Sequence, residues 1–230
     1  MRGSAPYMPS SYRALTLVML LLFVPALCTS ENRKVPASVT HPLYRIALTF
    51  DDGPHPVFTE KTIAALEREQ VPATFFVVGA QVEKYPDLAL KLARAGHEVA
   101  VHTYTHRNLC RLPDAEIKKE LISTQQLIER ITGKKPVLYR PPGGQHDPRV
   151  ERAAEKFGMS MVLWTVFTND HIVNDPAVIS ESVLRQAADG GIILFHSGRP
   201  ATLSALPGII QELKSRGYRF VTVTQLTAKR

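Results

Sequence analysis

Ile46-Ala-Leu-Thr-Phe-Asp51-Asp52-Gly53-Pro54 is a short apolar run that ends in two adjacent carboxylates. Ile46 to Phe50 reads as a buried strand, because it is β-branched and aromatic and too short for a helix. Gly-Pro then cannot continue the strand. Taken alone, Asp-Asp-Gly-Pro is a solvated turn. At the mouth of a buried strand it is something else, because two like charges so close raise one carboxyl pKa unless a cation or strong donors neutralise them. A metal on one Asp, with the other left as a base, resolves the conflict, provided the rest of the chain supplies further ligands.

Downstream, apolar runs alternate with helical patterns. Val71 to Gly79, His97 to Val101, Val137 to Arg140, Met159 to Trp164, Ile192 to Phe195 and Tyr218 to Val223 read as further strands. Between them, helices are expected after Thr59 as a cap, near Pro86 to Ala95, from about Pro113 to Thr132 with Gly133 as the stop, after Asp147, from Pro176 to Ala188 and from about Thr202 to Arg216. In the long helix Ile117, Leu121, Thr124, Ile128 and Ile131 share one face. Strand and helix in strict alternation predict an α/β fold with parallel strands and right-handed crossovers. About seven parallel strands without an internal break predict a single distorted (β/α) barrel, with its active site at the carboxyl ends of the strands.

The chain has 230 residues, 44% hydrophobic and 21% charged, an ordinary globular composition. Its start reads differently. Arg2 and Arg13 precede an uncharged Leu-rich run, Ala14 to Ala26, with small residues near Cys28-Thr29-Ser30. That is the layout of a secretory signal over 1–30, too short in its apolar part for the roughly 20 residues of a membrane span. Membrane attachment is expected only through this signal, were it left uncleaved. Residues 31–42 read as a linker, and 43–226 as one catalytic domain. Without the two arginines of the signal the formal charge falls from +7 to +5. No basic stripe interleaved with aromatics and no zinc-finger spacing occurs, so a nucleic-acid partner is not expected. Of the two cysteines, Cys28 lies at the cleavage region and Cys110 is left alone, which excludes a disulfide framework. Cys110 reads as a small packed hydrophobe rather than a ligand.

The polar residues that follow the strands carry the chemistry. His102 and His106 are spaced i, i+4, which on one helical turn places both imidazoles on one side. With Asp52 they make a His-His-Asp set with open positions, the pattern of a catalytic divalent site. Arg140 opens Arg140-Pro-Pro-Gly-Gly144; its guanidinium suits a fork onto Asp51. His196, at the end of Ile192 to Phe195, is a candidate general acid. Tyr104 and Trp164 offer faces to a sugar ring.

Thr49-Phe-Asp-Asp-Gly-Pro54, His102-Thr-Tyr-Thr-His106, Arg140-Pro-Pro-Gly-Gly144 and Ile193-Leu-Phe-His196 together resemble the ordered motifs of the polysaccharide deacetylases, the NodB-homology, family four carbohydrate esterases. The resemblance spans about 43–226. It implies a distorted β/α barrel holding a divalent metal, most often zinc, with cobalt, nickel or manganese as alternatives. It further implies Asp51 as base, Asp52, His102 and His106 as metal ligands, Arg140 as the residue orienting Asp51, and His196 as acid. Gly143, next to Pro142, would help hold the oxyanion. The implied activity is hydrolysis of N-acetyl groups on amino-sugar polymers such as peptidoglycan or chitin-like chains. A monomer is expected, and the signal-like start places it in a secreted, periplasmic or cell-envelope location. O-deacetylation of a polysaccharide such as xylan, and a catalytically silent sugar-binding protein, are the two rival expectations.

One position departs from the family pattern. Phe167 stands where family members usually carry an Asp that holds the catalytic His, and His171 stands where a Trp often follows. Two outcomes are open. Asp170 substitutes from a shifted loop, or His196 lacks a carboxylate partner and is a weaker acid near neutral pH.

Overall fold

The computed structural model describes residues 44–228; the signal and linker expectations for residues 1–42 lie outside them. The central strand is β1 (Tyr44–Gly53). In chain order there follow α1 (Phe58–Arg68), β2 (Thr74–Val77), α2 (Gly79–Lys84), α3 (Pro86–Arg94), β3 (Glu98–Val101), α4 (Asp114–Thr132), β4 (Leu138–Tyr139), α5 (Pro148–Glu155), β5 (Ser160–Met161), β6 (Val166–Phe167), α6 (Pro176–Gln186), β7 (Gly191–His196), α7 (Pro200–Ser215), β8 (Tyr218–Phe220) and α8 (Val223–Thr227). Strands neighbour one another in the order β5-β4-β3-β2-β1-β7-β6, all parallel, as the alternating pattern requires. β8 pairs only with the start of β1. Ile46 already faces Gly191 of β7, so β8 takes the edge that β2 occupies further along.

The sheet curls because its two ends are consecutive in sequence. β5 and β6 lie at opposite ends of the strand order, yet only residues 162–165 separate them. At about 3.5 Å per residue that connection spans no more than roughly 18 Å, so the edges face one another as a nearly closed barrel. The expected single strand Met159 to Trp164 is therefore two short strands on opposite sides of a seam. The last strand also ends earlier than expected, at Phe220, because Thr222 caps α8 in a reciprocal pair with Gln225. Thr59 does not cap α1; it lies inside the helix, and its hydroxyl accepts from the His55 N–H.

Strand periodicity sorts the side chains into two layers. Ile46, Leu48 and Phe50 of β1, with Phe75, Val77, Ile193 and Phe195, face the helices in the main core. Ala47, Phe76, Ala100 and Leu138 face the barrel interior, closed from below by Val223 and Leu226 of α8. The next interior positions towards the carboxyl ends are two residues on: Thr49 and Asp51 after Ala47, His102 after Ala100, Arg140 after Leu138. A period of two thus delivers the polar residues of three strands to one mouth. No described helix is long and apolar enough to cross a membrane.

Candidate active site

Arg140 is the interior residue that closes the seam. It is fully buried, and every guanidinium nitrogen has a partner: Nε donates to the Val162 carbonyl at 3.1 Å, Nη2 to the Leu163 carbonyl at 3.0 Å, and Nη1 to Thr49 Oγ1 at 2.8 Å and Asp51 Oδ1 at 2.7 Å. The guanidinium plane also lies 4.1 Å from the centre of the Phe76 ring. Burial pulls its pKa down, and the Asp51 charge opposes that pull. Asp51, itself buried, keeps its second oxygen towards the mouth, 3.8 Å from His102 Nε2.

Adjacent residues of a strand point to opposite faces, so Asp51 and Asp52 share a mouth only if the backbone deviates. It does. Asp52 adopts a left-handed φ of 69°, where the register against β2 slips between Phe50 and Gly53. This swings the second carboxylate round to the histidines, at a strain of order 1 kcal/mol. Asp52 Oδ1 lies 3.0 Å from His106 Nε2 and 3.4 Å from His102 Nε2. Burial works to raise the Asp52 pKa, but the hydrogen bonds and charges of His102 and His106 outweigh it and hold the carboxyl well below the usual range.

His102 and His106 meet without a helix, contrary to the expected helical turn. The chain after β3 is a loop in which Thr103 (φ 60°) and His106 (φ 59°) are both left-handed, and the two rings lie 5.0 Å apart. Glu120 of α4 fixes this loop. Its Oε2 accepts from the Tyr104 and Thr105 N–H groups, both at 2.8 Å, its Oε1 accepts from the Thr105 hydroxyl at 2.5 Å, and Arg107 approaches at 3.3 Å. His102 Nδ1 donates to the Arg140 carbonyl at 2.7 Å, leaving Nε2 with its lone pair towards Asp52 when the ring is neutral.

These donors suit a divalent ion. Asp52 Oδ1 is shut off from solvent and faces the two imidazoles, and the three donor atoms of Asp52, His102 and His106 converge. Ligand bonds of about 2.0–2.1 Å in a tetrahedron put donors about 3.3 Å apart, which the 3.0 and 3.4 Å separations match.

On the other wall, His196 ends β7. Its Nδ1 lies 2.7 Å from Asp170 Oδ1, and its N–H donates to Asp170 Oδ2 at 2.8 Å, which also accepts from Thr202 at 2.7 Å. The open question at Phe167 is thereby answered. Asn169 is left-handed (φ 55°), which turns Asp170 inward and lets it take the place the pattern gives to an Asp at Phe167. Burial works to lower the His196 pKa, but the bond and charge of Asp170 outweigh it and raise the pKa above the ordinary value. Phe167 is 38% exposed and stacks on Trp164 at 6.0 Å.

Asp51, Asp52, His102, His106 and His196 line one cavity of about 340 Å³, with Gly143, Trp164 and Phe167 on its walls. Pro142 is buried beside Gly143 and does not line it. Tyr104 is not on that wall either. It borders a separate cavity of about 730 Å³, and its hydroxyl donates to Glu83. Cys110 packs partly buried against the main core, apart from the donor cluster. Glu120 was legible in principle, as a carboxylate within the apolar stripe Ile117, Leu121, Thr124, Ile128.

The mouth of the β/α barrel thus holds an Asp-His-His donor cluster able to take a divalent ion, beside Asp51 and His196, each with its own charged partner. Residues 39–162 match the polysaccharide deacetylase family, to which the chain belongs. It is 38% identical over 182 residues to the peptidoglycan-N-acetylmuramic acid deacetylase PdaC of Bacillus subtilis, covering 79% of this chain and 38% of that protein. The solved PdaC structure is similar with a TM-score of 0.75 at 37% identity, over 80% of this chain and 90% of that one. A peptidoglycan-N-acetylglucosamine deacetylase of Bacillus cereus is 36% identical over 186 residues, covering 79% of this chain and 87% of the relative. A Bacillus anthracis protein described as a pseudoenzyme of the same family is also similar, with a TM-score of 0.77 at 32% identity, over 81% of this chain and 66% of that one. Family membership alone thus leaves activity to be argued from the site.

Proposed function

We propose that the chain removes N-acetyl groups from the amino sugars of peptidoglycan, releasing acetate, with a divalent ion, zinc by default, held by Asp52, His102 and His106. The observation that carries this reading is the placement of Asp51 and His196 in one cavity with the donor cluster, each with its own charged partner. When bound, the ion supplies Lewis acidity that lowers the pKa of a water and polarises an acetyl carbonyl. Asp51 accepts the proton of the attacking water; Arg140 holds Oδ1, so Oδ2 is the basic atom. The Gly143 N–H donates to the oxyanion of the tetrahedral intermediate. His196, oriented by Asp170, gives its proton to the departing amine as the carbon–nitrogen bond breaks, and acetate leaves. The aromatic wall of Trp164 and Phe167 suits a sugar ring.

A silent sugar-binding role is disfavoured because base, base-holding Arg, ligands and acid are all present, and Asp170 fills the position that Phe167 vacates. Action on peptidoglycan fits a secretory signal over residues 1–30 and a mature catalytic domain acting outside the cytoplasm. The test is acetate release from peptidoglycan and chitooligosaccharides by the purified mature chain, after chelation and after zinc is restored. Loss on chelation and recovery with zinc is expected. Tight metal binding with no acetate released from any amide or ester overturns the reading.

A further inference from the structure

Two histidine pairs face the same cleft with nearly the same geometry. The rings of His102 and His106 are 5.0 Å apart and inclined at 57°; those of His171 and His196 are 5.3 Å apart and inclined at 54°. Each pair has a carboxylate beside it, Asp52 in one case and Asp170 in the other, with donor atoms of each trio within 4.8 Å of one another. In each pair one imidazole has its Nδ1 committed, His102 to a carbonyl at 2.7 Å and His196 to Asp170 at 2.7 Å. A carboxylate only accepts, so His196 Nδ1 carries the hydrogen, and Nε2 keeps its lone pair when the ring is neutral. His171 Nδ1 is shut off from solvent without a partner. Packing of the His171 ring against Phe167, at 5.8 Å, explains an aromatic residue there but not an imidazole with an orphaned nitrogen.

We propose that His171 and His196 form a second divalent-cation site of zinc class, with Asp170 fixing His196 as a carboxylate behind a ligating imidazole. Carboxylate–histidine–metal arrangements of this kind orient the ring and raise its basicity, and two imidazoles select zinc over magnesium or calcium. Asp170 is already engaged by His196 and Thr202, so the site offers two direct ligands against three in the first. It therefore fills after the first. Filling it occupies Nε2 of His196 and removes that ring from proton transfer, so excess zinc inhibits. This consequence rests on His196 being the proton donor; the binding itself does not.

The test is a zinc titration of chelator-stripped protein by equilibrium dialysis, with cobalt absorbance as a second readout. Wild type, His171→Phe, a His102→Ala/His106→Ala variant and the combination of the two are compared. About two ions per chain are expected in wild type, about one in His171→Phe, about one in the His102→Ala/His106→Ala variant and none in the combination. Acetate release should rise with the first equivalent and fall as the second binds, and the fall should be absent in His171→Phe. One ion per chain in wild type, or an unchanged count in His171→Phe, overturns the proposal. Should His171→Phe fail to fold, as judged by circular dichroism, His171→Gln decides the count. Two bound ions with no acetate release at any zinc level sinks the proposed activity and leaves the second site standing.

Discussion

Replacing Glu120 by Gln tests whether the carboxylate on α4 sets the metal cradle or merely fills the core. Glu120 is 4% exposed and accepts two backbone N–H bonds and one hydroxyl bond from the loop between His102 and His106. The amide oxygen of Gln can keep the two N–H bonds, but the NH₂ group lands where Oε1 accepted, facing Thr105 and the Arg107 cation. Bonds to a charged acceptor contribute about 1.5–3 kcal/mol against about 0.5–1.5 for neutral ones, so weakening three of them removes roughly 2–4 kcal/mol. Part appears as lost stability. The rest appears at the ligands, because Thr103 and His106 hold left-handed conformations that only the fixed loop supports. Metal affinity should fall about 10–100-fold, the usual effect of removing a group that orients ligands. Competition with a chelating dye reads the affinity, and urea unfolding of the metal-free protein reads the stability. A variant that loses stability but binds zinc as wild type refutes the positioning role. Burial works to raise the Glu120 pKa, but the Thr105 and Tyr104 bonds outweigh it and leave it depressed. Its stabilising contribution is therefore complete above the ordinary carboxylate pKa and is lost as pH falls through the depressed value. The acid unfolding of wild type should be correspondingly steeper than that of the Gln variant.

Asp51→Asn should abolish acetate release while metal content stays at the wild-type level; full activity in that variant contradicts its role as base. Asp170→Asn removes the charge that raises the His196 pKa, so the basic limb of the rate–pH profile should move to lower pH. A limb that stays put would mean another group donates the proton. In stability, the raised His196 pKa contributes fully below the ordinary value of 6.5 and is lost as pH rises through the raised value, so the Asn variant should lose its deficit in alkaline solution. Arg140→Lys keeps the charge but leaves one three-donor ammonium to serve two carbonyls, a hydroxyl and a carboxylate, and should destabilise by about 1–3 kcal/mol for the acceptor left unpaired; urea unfolding checks it.

The parts of the site that were legible in the sequence are those governed by local periodicity. Ala47, Thr49 and Asp51 alternate with Ile46, Leu48 and Phe50, so the strand, its buried face and the inward carboxylate can all be read from spacing. The parts that were not legible depend on single dihedral angles or on contacts across the barrel. Asp52 reaches the histidines through one left-handed residue, and an i, i+4 pair of histidines suggested a helix where Thr103 and His106 make a turn. Side-chain patterns carry no sign of either. The division of Met159 to Trp164 between β5 and β6 is decided by where the sheet closes, a property of the whole sheet.

Phe167 shows how a departure from a motif can leave a contact intact. The position asked for a carboxylate on His196, and the aligned residue is apolar. What the imidazole requires, however, is an oxygen at hydrogen-bond distance from Nδ1, whichever residue brings it. Asn169 turns the chain so that Asp170 supplies both oxygens, one to the ring and one to the backbone N–H of the same histidine. Phe167 is then released to stack on Trp164 at the cavity wall. The same shift brings His171 against His196, so the change that keeps a carboxylate on His196 also sets a second imidazole beside it.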